Sequence, residues 1–146
     1  MAASATVLKL GTVQETDSQV SATRFDLNHE DRELLEWLRS VALDVQLQGR
    51  IDVERACELI AVCPGGAPHR YASALLSATM TYTKTDAPLY RKGTDNVSRI
   101  EAWLVRLLGC FRSGDRLGVE MLVRSTIRPG GQRWVRFLAQ GLSEVI

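Results

Sequence analysis

The sequence has little of what would identify an activity at sight. Its three cysteines, Cys57, Cys63 and Cys110, are odd in number and irregular in spacing, which excludes the even, patterned framework of a secreted disulfide scaffold. A reducing compartment is expected, and the cytoplasm is the default. Only two histidines, His29 and His69, are present, and neither stands in a recognisable catalytic setting. No window approaches the roughly 20 consecutive apolar residues of a membrane span, so no membrane role is expected. Residues 1–8 carry no basic side chain ahead of a sustained apolar stretch, and Lys9 interrupts the apolar run around it, which argues against a signal peptide.

The chain does have the composition of an ordinary globular domain. At 146 residues, with 45% hydrophobic and 24% charged side chains, it can bury one core without staples. A net charge of +1 conceals an asymmetry. Residues 1–66 hold 6 basic and 11 acidic groups (−5), whereas residues 67–146 hold 12 and 6 (+6). Ten of those 12 are Arg, whose planar guanidinium suits phosphate and carboxylate.

Residues 1–26, rich in Ser, Thr, Ala and Gln, predict a flexible N-terminal tail. Within it residues 6–13 (TVLKLGTV) are β-prone and could dock on a partner. Residues 27–146 predict an all-α, bundle-like domain of about six helices. Asn28 with Glu30, Asp31 and Glu33 marks the first start; the helix runs to about residue 48, with Leu34, Leu35, Leu38, Val41, Ala42 and Val45 inward and Glu33, Glu36, Arg39 and Asp44 outside that stripe. Gly49 ends it. Asp52 caps a second helix, which Pro64-Gly65-Gly66 breaks. Pro68 opens a third over residues 69–84, rich in Ala and Ser, so that another helix can approach closely. The connection 86–96 is a basic loop. Ser98 and Glu101 fit a capping box for a fourth helix carrying Ile100, Trp103, Leu104, Leu107, Leu108 and Phe111 inward to Gly114. A fifth from about Asp115 carries Leu117, Met121, Leu122 and Ile127 until Pro129-Gly130-Gly131 stops it. A sixth presents Trp134, Phe137, Leu138, Leu142 and Val145.

An offset of 66 residues aligns Leu34, Trp37, Leu38, Val41 and Ala42 with Ile100, Trp103, Leu104, Leu107 and Leu108. The Pro-Gly-Gly turns and the pairs Arg70-Tyr71 and Arg133-Trp134 come next in each half. The pattern suggests two pseudo-repeated three-helix units, in halves 27–85 and 96–146, with the seam between them as a natural ligand site.

No constellation reaches the strength of a motif. Cys57, Cys63 and His69 are six apart, and six positions turn a helix by about 240° net, unlike the close Cys pairs of structural zinc; no metal or cofactor is expected. Neither Pro-Gly-Gly turn ends in the Gly-Lys-Ser/Thr of a P-loop, although helix starts behind such turns can hold an anion. The second and third helices make a poor helix-turn-helix, because their connection is long and the third offers no Asn or Gln to read bases. The candidate anion- or partner-binding residues are Arg70, Arg91, Lys92, Arg128, Arg133 and Arg136, with Arg106 and Arg124 as further phosphate contacts if they share a surface. The expected function is that of a non-catalytic interaction protein, a regulator or adaptor that binds a protein partner or a second copy of itself. The alternative is a nucleic-acid-binding regulator that uses the Arg-rich half.

Overall fold

The computed structural model describes residues 27–48, 52–62, 68–85 and 88–146. The tail 1–26, Gly49, Cys63 and Pro64-Gly65-Gly66 lie outside the described residues, as do the expectations placed on them. Among the described residues six helices succeed one another: α1 (His29–Gln48), α2 (Val53–Val62), α3 (Pro68–Tyr82), α4 (Arg99–Ser113), α5 (Arg116–Thr126) and α6 (Pro129–Val145). None is long and apolar enough to cross a membrane.

Local chemistry sets most of the boundaries. The Asn28 side chain accepts from the Asp31 amide at 2.8 Å, and Asp52 accepts from Glu54 at 3.2 Å, each satisfying an amide that the first turn leaves without a partner. Ser98 and Glu101 form the reciprocal capping box, and Gly114, at φ 73°, closes α4 in the left-handed region that glycine enters freely. Asp115 caps α5 through the Gly118 amide at 2.9 Å.

Two boundaries differ from the sequence reading, for one reason. α3 stops at Tyr82 rather than Lys84 because Thr83 forms an antiparallel bridge with Ile127. The Lys84 amide donates to Thr126 O and the Arg128 amide to Tyr82 O, both at 2.8 Å. That pairing draws Ile127 into an extended conformation and ends α5 before Pro129-Gly130-Gly131 is reached. Pro129-Gly130-Gly131 is therefore the first turn of α6, with Pro129 where its missing N–H costs nothing.

The centre of the molecule is the pair α3 and α6, which share its most extensive helix contact. All nine residues from Tyr71 to Thr79 are buried, so α3 is covered all round, by α1, α2 and α6. The pair is antiparallel: a Cβ on Gly131 at the start of α6 would overlap Tyr82 at the end of α3, and one on Gly141 would overlap Tyr71 at its start. Small residues thus permit the close approach, on both helices. α4 and α5 pack on α6, and α1 closes the bundle against α4.

The apolar faces of α1 and α4 agree with the periodicity, but those of α5 and α6 are displaced. Val119, Val123 and Ile127 are buried, while Leu117 and Met121 stand 79% and 73% exposed. On α6 the buried row is Gly131, Val135, Leu138, Ala139 and Leu142, leaving Phe137 42% exposed and Trp134 half-buried. Both helices carry apolar residues on more than one face, so period alone could not choose between them. The fold does not show the two-fold relation between halves: α4 packs on α5, and α1 has no comparable interface with α2 among the described residues. Trp103 is buried, whereas its counterpart Trp37 is half-buried.

Candidate functional site

The strongest polar constellation is a buried ion pair at the α1–α4 seam. Arg39, which the periodicity sets outside the apolar stripe, is 3% exposed, and Glu101 is fully buried. Leu35, one turn before Arg39, packs with Val97, Ala102 and Val105, so this face of α1 is turned toward α4 rather than toward solvent. Arg39 Nε donates to Glu101 Oε2 at 2.6 Å and Nη2 to Oε1 at 3.0 Å. Its remaining N–H groups go to Glu36 Oε1 (2.7 Å), Thr94 O (2.8 Å) and Asn96 O (2.8 Å). Glu101 also accepts from the amides of Tyr90 and Ser98 at 3.0 and 2.9 Å. Every guanidinium N–H and both carboxylate oxygens are engaged, the condition under which such a pair tolerates burial. The Arg39 pKa is raised, chiefly by the hydrogen bond to Glu101.

This network clamps residues 90–98, the basic loop of the sequence. Glu36 Oε2 accepts from the Gly93 amide at 2.9 Å. Burial alone would raise the Glu36 pKa, but the Gly93 amide and the Arg39 guanidinium outweigh it and hold the carboxyl below its ordinary value. Arg91 and Lys92 stand exposed at the tip, on a turn that Gly93 makes at φ 87°.

Of the sequence's basic candidates, the structure does not bring Arg70 and Arg133 together. Arg70 lies exposed in the first turn of α3 and Arg133 in the first turns of α6, hence at opposite ends of the antiparallel pair. Arg91 and Lys92 belong to the loop beside α1. Arg128, exposed, joins α5 to α6. Arg136 is tied to Glu120, Nε to Oε1 at 2.9 Å and Nη2 to Oε2 at 3.1 Å. Arg133 stacks over the Trp134 ring, 4.5 Å from its centroid.

That stacked arginine borders a groove of about 390 Å³ between α2 and α6, lined by Glu54, Cys57, Glu58, Trp134 and Phe137 besides Arg133. Its walls are apolar and aromatic, and Glu54 and Glu58, four residues apart on α2 and both exposed, place two carboxylates on one side. Cys57 is buried beneath, and burial pushes its thiol up to about 11, which removes it from nucleophilic chemistry near neutral pH. Sequence reasoning missed this groove because it grouped Trp134 and Phe137 with Leu138 and Leu142 as one apolar set. Their register gave the signal: residues 131, 135, 138 and 142 make one helical row, and Trp134 and Phe137 fall beside it.

Among the described residues no three His, Cys, Asp or Glu side chains converge as a metal site would require. His69 Nε2 sits 3.2 Å from Asp44 Oδ2, and the half-buried Cys110 has its thiol pKa raised by burial and by Asp115. No family model, curated protein or solved structure matches the chain.

Proposed function

We propose that this chain is a non-catalytic protein-binding module that seats an amphipathic helix of a partner protein in the α2/α6 groove. The observation that carries this reading is the pair Trp134 and Phe137, left accessible in a concave apolar groove with Arg133 beside them. Aromatic and arginine side chains dominate the energetic centres of protein interfaces. An apolar helix face entering such a groove is a standard mode of recognition. Glu54 and Glu58 specify the flanks, so the partner helix carries Lys or Arg beside its apolar anchors. The nucleic-acid alternative draws on the arginines singled out above, of which Arg70 and Arg133 lie at opposite ends of the α3/α6 pair and do not share one phosphate track.

The test is photo-crosslinking in the native cell from a reactive phenylalanine analogue at position 137, with position 117 on α5 as the control outside the groove. The expected outcome is a discrete adduct with another protein from position 137 alone, abolished by Glu54→Lys with Glu58→Lys. Adducts only with a second copy of the chain would overturn the reading in favour of self-association. The same adduct from both positions, or none, would also overturn it.

A further inference from the structure

A second concavity, about 310 Å³, lies between α4 and α5. Arg99, Ala102, Trp103 and Arg106 form one wall, and their spacing of three, four and seven residues puts them on one face of α4. Leu122, Ser125 and Thr126 supply the facing wall, and Thr85 closes an end. The walls are held in place. Trp103 Nε1 donates to Leu122 O at 2.8 Å, and Lys84 Nζ donates to Arg124 O at 2.7 Å, fixing the segment before Thr85 to the end of α5.

Among the described residues the charge of this cleft has one sign: no carboxylate lines it, and neither Arg99 nor Arg106 forms an ion pair. Two turns apart on the helix, their Cα atoms are separated by roughly 10 Å, within reach for long side chains to converge on a single group between them. Thr85, Ser125 and Thr126 line the same space; the Ser125 hydroxyl donates to Leu122 O at 3.0 Å and keeps its lone pairs, and Trp103 and Leu122 give the cleft an apolar side. A planar guanidinium pairs bidentately with two oxygens of a phosphate, a threonine hydroxyl adds a neutral donor, and apolar walls accept carbon.

We propose that the α4/α5 cleft binds a phosphate monoester carried on an apolar group. This site is separate from the α2/α6 groove and does not depend on the reading given to it. The test tracks the indole N–H resonances of Trp37, Trp103 and Trp134 in the whole chain, assigned through Trp37→Phe and Trp134→Phe, during titration with phenyl phosphate or inorganic phosphate at fixed ionic strength. A saturable shift of the Trp103 resonance with phenyl phosphate is expected, with inorganic phosphate at least about fivefold weaker for want of an apolar part. Arg99→Gln and Arg106→Gln should each weaken phenyl phosphate by roughly tenfold, the size of one charge-assisted hydrogen bond. Arg124→Gln, an equal loss of charge outside the cleft lining, should leave it unchanged. No saturable shift at millimolar ligand would overturn the proposal, as would equal affinity for the two phosphates, or equal weakening by Arg124→Gln, which would mark a diffuse field.

Discussion

Arg39 and Glu101 illustrate how a residue's surroundings decide the worth of its charge. An exposed pair of this kind contributes little, and a buried one contributes chiefly by what its loss leaves behind. Removing Glu101 takes from the buried guanidinium its bidentate partner, leaving Glu36 as its one carboxylate contact, and frees the amides of Tyr90 and Ser98. Glu101→Ala or Arg39→Ala should therefore cost about 3–5 kcal/mol, read as a fall in the urea midpoint. That is a large share of the ~5–15 kcal/mol typical of a domain. Glu36 makes a pH-dependent addition. Its folded-state pKa lies below the ordinary 4.5, so its contribution is present above the unfolded value and is lost as pH falls through the folded one. Urea midpoints measured from pH 7 to pH 3 should drop more steeply below about pH 4.5 in the parent chain than in Glu36→Gln. Parallel curves would remove Glu36 from the acid response.

Among whole elements, α3 and α6 show what composition can and cannot foretell. The run of Ala and Ser in α3 announced a close helix neighbour, and the structure supplies α6. What the run did not announce is that the glycines of α6 are part of the same fit. Glycine inside a helix ordinarily costs about 0.5–1 kcal/mol against alanine. Gly109, on the exposed side of α4 with nothing within 4 Å of an added Cβ, should obey that rule, and Gly109→Ala should raise the melting temperature. Gly141→Ala should lower it, because the methyl would enter the Tyr71 ring and the central pair would have to part. The capping residues Asn28, Asp52 and Ser98 were legible, since each acts within three residues of itself. The faces of α5 and α6 were not, because Leu117 and Met121 offer as good a row as Val119 and Val123, and only the neighbouring helix distinguishes them. The truncation of α3 at Tyr82 was hidden for a similar reason: its cause is Ile127, which stands far along the chain.

At the scale of the molecule, the charge asymmetry read from the sequence has its most consequential expression at one point, where the acidic half contributes an arginine and the basic half a glutamate. Sequence patterning placed Arg39 with the solvated residues because a lone charge beside an apolar stripe usually belongs there, and its partner lies 62 residues away. The α2/α6 groove was obscured in the opposite direction, since Trp134 and Phe137 read as one apolar set with Leu138 and Leu142. Both errors have the same origin: burial is a property of the assembled bundle, and a single helix does not carry it. The arrangement of the central pair also bears on how the chain is made. α3 emerges from the ribosome well before α6, which comes after every other described helix, yet α6 provides its largest cover. Until α6 is synthesised, nine consecutive residues of α3 lack that cover, and the earlier helices cannot complete a core around them. The bundle therefore closes only when its last described helix arrives, and between the making of α3 and of α6 the nascent chain carries a central helix without its largest cover.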